Sequence, residues 1–212
     1  MSPNPNNQIA ATAGLPLRDA ALGPFGMIAE YIGRIREFNR TDWLVYVGWI
    51  GMMYGLVATT LGFLLVGRAH GVVFPTEAWL VPVGAGIFST SIAIDTIGHR
   101  TIYKAALAGG EALVHHITIF CGVTSVVFLV LAFDNPALWI VAMVLSVLSF
   151  VYSLVDEIFH WRRYLAAKAD PVEMWSHVGI MIGHLIMMIA WWRFFQMGYP
   201  GVAATLHATG LR

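Results

Sequence analysis

Four segments of the chain pair an acidic side chain with a histidine at helical spacing, inside stretches that are otherwise apolar. Asp95 and His99, Glu111 and His115, Asp156 and His160, and Glu173 and His177 each stand four residues apart. That separation stacks two side chains on one face of an α-helix. Glu157 lies three residues before His160, and His184 follows His177 by a heptad on the same face. Ionisable groups are costly in a bilayer, so those that persist there mark functional positions with a partner to be found. Carboxylates and imidazoles converging from four helices are what a metal centre in a bundle core requires, and the mixed oxygen–nitrogen set favours iron, manganese or zinc over copper(I).

The ten candidate ligands are Asp95, His99, Glu111, His115, Asp156, Glu157, His160, Glu173, His177 and His184. They exceed what two ions need, so some are expected to orient the others. The set resembles, in style only, that of soluble di-iron bundles, which use one Glu on each of two helices and Glu-x-x-His on the others. Glu157-x-x-His160 matches that motif once, and the other pairs use the four-residue spacing. Asp156-x3-His160 also resembles the Asp-x3-His pair of membrane copper monooxygenases, a likeness nothing else in the chain extends. The cofactor expected of the set is two non-haem iron ions, with haem b, copper or zinc as alternatives. The implied chemistry is oxygen activation and hydroxylation or desaturation of an apolar, lipid-like substrate.

Each residue also has a plainer reading. Glu173 completes a capping box after Asp170-Pro171-Val172, Glu157 pairs with Arg162 or Arg163, and Asp95 pairs with Arg100 or Lys104. His116 points about 100° away from His115, so at most one shares the bundle face. Stripes of small or polar residues accompany the pairs: Thr118, Gly122 and Ser125 after His115, and Ser146, Ser149 and Ser153 before Asp156.

The elements that must hold these residues follow from composition. Of 212 residues, 58% are hydrophobic and 11% charged, with a mean hydropathy of +0.71. A soluble domain carries about a quarter charged residues, so most of this surface is expected to face lipid. Five apolar stretches reach the ~20 residues that cross a bilayer: residues 43–66, 78–102, 111–133, 136–160 and 174–197. The expected fold is an all-α integral membrane protein in which spans two to five form a four-helix bundle around the polar cluster. Residues 1–22 read as a mobile arm, 23–42 as an interfacial amphipathic segment, 43–199 as the transmembrane domain and 200–212 as a short tail. Pro136 suits a first helical turn, and Pro82 is expected to bend the second span. Gly51-x3-Gly55 and Gly179-x3-Gly183 are expected at close helix contacts.

Arg18, Arg34, Arg36, Arg40, Arg100, Lys104, Arg162, Arg163 and Lys168 fall on one side of these spans, leaving Arg68, Arg193 and Arg212 on the other. The positive-inside rule then places the N-terminus in the cytoplasm and the C-terminus opposite. All four acid–histidine pairs lie near the cytoplasmic face, with Asp95, Asp156 and His115 ~6 Å deeper than their partners and His184 ~10 Å deeper than His177. The first span lies outside the cluster.

Other functions are excluded or set against this one. Acidic and basic residues balance at 12 each, which gives no field for nucleic acid. The lone Cys121 forms no intrachain disulfide, and no nucleotide or nucleophile motif occurs. An electron donor is therefore expected to be a separate protein on the cytoplasmic side, and an oligomer or larger membrane complex is compatible with the small soluble mass. A b-type haem held by His115 and His184 would make the chain an electron-transfer subunit. A proton or metal-ion path would need polar residues to continue to the far side. A non-catalytic accessory subunit would use the cluster only to set helix register.

Overall fold

The structure is a computed structural model that describes residues 23–102, 109–167 and 170–212. The arm expected over residues 1–22 lies outside these, as do Lys104 and Lys168 and the side chains of Glu111 and Arg163. The described residues are helical: α1 (Pro24–Gly33) with a 3-10 turn (Arg34–Glu37), α2 (Arg40–Ala69), α3 (Thr76–Thr101), α4 (Gly109–Leu131), a 3-10 turn (Pro136–Leu138), α5 (Trp139–Ala167), α6 (Pro171–Gln196) and α7 (Val202–Ala208). Five of them, α2 to α6, are long and apolar enough to cross a membrane. Between 17 and 39% of the apolar window of each is buried, so most of their surface points outward. Leu44, Val47, Phe120, Ile140 and Leu154 are among the large apolar side chains on that outer surface.

Local sequence sets the helix ends. Asn39 caps α2: its Oδ1 accepts from the Asp42 N–H at 3.0 Å, and its own N–H donates to Asp42 Oδ2 at 3.1 Å. This reciprocal pair satisfies two backbone donors that a helix start would otherwise leave open. Asp170 Oδ1 accepts from the Val172 N–H at 3.0 Å, with Pro171 at the first position of α6. Pro136 opens a 3-10 turn that leads into α5 rather than α5 itself. α3 runs on through Pro82 as one helix.

α3 and α6 form the tightest pair, α4 and α5 the second, and α5 touches α6 more thinly. Glycine makes the first pair possible. A methyl group at Gly84 would run into the Met187 backbone nitrogen, and one at Gly183 into the Phe88 backbone nitrogen. Gly179 likewise lies against Ser91 Oγ. The close contact expected of Gly179-x3-Gly183 is therefore present. Gly51 and Gly55, by contrast, have nothing within 4 Å of an added methyl. The same spacing therefore makes no close contact among the described residues, although Tyr54 between the two glycines reaches Thr90 of α3 at 2.8 Å.

At the end away from the acid–histidine pairs the bundle is closed by apolar packing of Leu64, Val81, Leu129, Met187, Met188 and Trp191. Tyr199, in the turn after α6, holds a positive φ of 53° and donates its hydroxyl to the Leu129 carbonyl at 2.6 Å. That bond ties the end of α6 to the end of α4. At the other end α1 packs on α3. Tyr31 is fully buried with Ile97 and Val172, in the space left by the missing side chain of Gly98. The tail contains a helix, α7, whose buried Thr205 fits against Gly67 of α2.

Candidate metal centre

The acid–histidine pairs of α3, α5 and α6 meet at the C-terminal ends of α3 and α5 and the N-terminal end of α6. Within a helix the four-residue spacing brings His99 Nε2 to 3.3 Å from Asp95 Oδ2, and His160 Nε2 to 3.7 Å from Asp156 Oδ2. Between helices the pairing is set by packing. His177 on α6 donates from Nδ1 to Glu157 Oε1 on α5 at 2.8 Å, while its Nε2 lies 3.3 Å from Asp95 Oδ1 on α3. His160 donates from Nδ1 to Glu173 Oε1 on α6 at 3.0 Å. His115, from α4, donates from Nδ1 to Asp156 Oδ2 at 3.2 Å. The rings crowd accordingly, His160 and His177 having centroids 3.7 Å apart, and His99 standing edge-on to His160 at 5.7 Å.

Four of these side chains satisfy the geometry of a cation site. His99, His160, Glu173 and His177 each offer a nitrogen or oxygen, and the four atoms lie within 4.8 Å of one another. His160, Glu173 and His177 are buried, and His99 nearly so. Three imidazoles and a carboxylate suit a first-row transition metal. The surroundings fit as well. Asp95 Oδ1 and His177 Nε2 are buried, lie 3.3 Å apart and have no hydrogen-bond partner among the described residues. Asp156 Oδ1 is also buried with no hydrogen-bond partner among the described residues. Unpaired polar atoms of this kind are costly, and a bound cation would satisfy them. Glu157 stands behind His177 in the way that a carboxylate holds the far nitrogen of a metal-bound imidazole.

The other sequence candidates take different places. Asp95 and Asp156 border the set and connect it to His99, His177 and His115. Glu111 falls among the residues whose side chains are not described. His184 lines the same cavity as His99, His115 and His177, and its ring stacks on Phe150 at 4.3 Å and 14°, with Phe88 at 5.4 Å. One heptad carries it past the acidic groups into an aromatic layer. Asp95 does not take Arg100. That arginine lies 3.6 Å from Asp42, the capping-box partner of Asn39 in the first turn of α2, which is 6% exposed. Asp42 was absent from the candidates because the first span was expected to begin at Trp43; the Asn39-x-x-Asp42 capping spacing was the signal that could have found it. The serine stripe of α5 is spent on helix contacts, with Ser149 Oγ donating to the Thr118 carbonyl at 3.4 Å and Ser153 Oγ reaching Met181 sulfur at 3.3 Å.

A cavity of about 830 Å³ runs from this cluster into the apolar part of the bundle. His99, His115, His177, Asp95, Asp156 and Glu157 line its polar end. Trp49, Met52 and Leu56 of α2 line one wall, and Ile119, Val123 and Val126 of α4 the facing one. The first span is therefore part of the cavity wall although it supplies no acid or histidine to the cluster. No protein-family model, curated protein or solved structure matches the chain.

Proposed function

We propose that this chain is a multi-pass membrane protein with a metal-dependent oxidoreductase centre of the non-haem di-iron oxygenase type, acting on an apolar substrate. One observation carries the reading: His99, His160, Glu173 and His177 offer four ligand atoms within 4.8 Å of one another, and His99 and His177 also line the polar end of a largely apolar cavity between helices. His99, His160, Glu173 and His177 would hold one iron, with Asp95, Asp156 and His115 at hand for a second. Iron bound there would supply dioxygen activation, with electrons from a separate donor docking at the basic, cytoplasmic side. The chain's own residues bind and exclude: Glu157 and Glu173 fix the His177 and His160 rings, and the walls of α2 and α4 keep water from the polar end. In this reading α1 lies in the membrane interface, Tyr31 anchoring it to α3 while Phe25, 88% exposed, enters the headgroup region. The N-terminus is then cytoplasmic and the C-terminus outside.

The apolar packing of Leu64, Val81, Met187 and Trp191 beyond the cavity argues against a polar path across the membrane. A b-type haem is the second reading, because His115 and His184 line the same cavity. Elemental analysis and the absorption spectrum of purified protein test both. Retained iron without an intense band at the blue edge of the visible is expected; such a band would move the assignment to haem. His177→Ala should lose metal and His70→Ala should keep it. Equal metal in the two variants would overturn the site.

A further inference from the structure

His184 has no role in the centre just described, yet it is 95% removed from solvent by its 5% exposure and borders the cavity. Among the described residues it makes ring contacts with Phe88 and Phe150 and no hydrogen bond. Its ring carries a donor and an acceptor that no described side chain or backbone group takes up, and the cavity it lines gives an occupant access to it. We propose that the cavity binds a long-chain, uncharged lipid taken from the bilayer, and that His184 hydrogen-bonds its hydroxyl or carbonyl oxygen.

The lining specifies that chemistry. Its charged residues, Asp95, Arg100, Asp156 and Glu157, gather at the acid–histidine end. His184 itself stands between Phe88 and Phe150. Apart from hydroxyls already bonded within the protein, at Thr96, Thr118, Ser149 and Ser153, the rest of the lining is mainly apolar, with no further cation for a carboxylate or phosphate. The entry is lateral. Val45 and Met52 of α2 and Val123 and Val127 of α4 line the cavity while remaining 37 to 49% exposed, so it reaches the outer surface along these two helices. Length follows from α6: seven residues separate His177 from His184, a rise of ~10 Å. A molecule held by its oxygen at His184 reaches the imidazoles of His99 and His177 with a carbon about that far along its chain. This selection of position rests on the proposed metal chemistry; the binding does not.

The test uses full-length protein in phosphatidylcholine nanodiscs, with and without chelation of metal. Dibrominated octadecanol and dibrominated octadecane are titrated as quenchers, and the signal of Trp49, which lines the cavity, is isolated by subtracting a Trp49→Phe variant. One buried hydrogen bond predicts half-quenching by the alcohol at about tenfold lower membrane concentration than by the alkane. His184→Phe should bring the alcohol to the level of the alkane, and His184→Gln, which keeps a donor and an acceptor, should retain most of the preference. Equal quenching by alcohol and alkane in the wild type overturns the proposal, as does unchanged alcohol preference in His184→Phe. Loss of metal from His184→Gln would make the residue a ligand and overturn it too. Alcohol preference in protein that never holds metal sustains this site and sinks only the metal centre; metal retained without alcohol preference does the reverse.

Discussion

Replacing Gly183 by alanine tests whether the α3–α6 contact holds the candidate centre together. The added methyl carbon would lie 2.8 Å from Phe88 Cα and 2.9 Å from the Gly84 carbonyl oxygen, and closer still to the Phe88 backbone nitrogen. Carbon atoms rest at about 3.5–4.0 Å, so the two backbones must part by roughly 1 Å. No flexible side chain can yield instead, because every one of these atoms is main chain. Overpacking of this kind costs about 1–3 kcal/mol. The separation also reaches the centre, because Asp95 and His99 come from α3 while Glu173 and His177 come from α6. Asp95 Oδ1 and His177 Nε2, now 3.3 Å apart, would move beyond contact. Thermal unfolding in detergent should show a lowered midpoint, and metal content should fall in parallel. Gly55→Ala is the control, since its methyl meets open space. It should stay within about 1 kcal/mol of wild type. A Gly183→Ala protein with wild-type midpoint and metal content would refute the reasoning.

Further outcomes follow from single contacts. Glu157→Gln removes the carboxylate that holds His177 Nδ1 at 2.8 Å, and metal affinity by competition titration should weaken about 10- to 100-fold; unchanged affinity would mean that Glu157 does not position the ring. Asp42→Ala leaves the Asn39 cap in place but deletes the return bond from the Asn39 N–H to Asp42 Oδ2 and the Arg100 ion pair, and should lower stability by about 0.5–1.5 kcal/mol without releasing metal from His99 and its partners. Tyr199→Phe leaves the buried Leu129 carbonyl without its donor, at a cost of about 1–3 kcal/mol in denaturant titration. Burial pushes the Tyr199 phenol up to about 12, above its ordinary value of about 10. The folded state therefore holds this proton more tightly than the unfolded chain does, and the stability it contributes is complete below about pH 10 and lost as pH rises towards 12. Unfolding midpoints measured across that window should fall in the wild type and less in Tyr199→Phe; parallel curves would discount the burial of the phenol.

The sequence by itself determined what depends on runs of neighbouring residues. Five apolar stretches of sufficient length gave five long helices, with ends near those expected, because span length and capping are local properties. Asp95 with His99 and Asp156 with His160 were legible for the same reason, since four residues along a helix bring two side chains to one face. The partners across helices were decided only by tertiary structure. Glu157 met His177, Glu173 met His160, and Arg100 turned to Asp42. Helical periodicity specifies a face and a depth but not which neighbour stands opposite. Packing also divided equal motifs: Gly183 sits against a backbone and Gly55 against nothing. His184 shares a helical face with His177, yet two turns further along, the neighbours packed against that face are Phe88 of α3 and Phe150 of α5 rather than acids. Position along a helix was readable from spacing; company in the interior depended on how close α3 and α6 could approach, and that distance was set by their glycines.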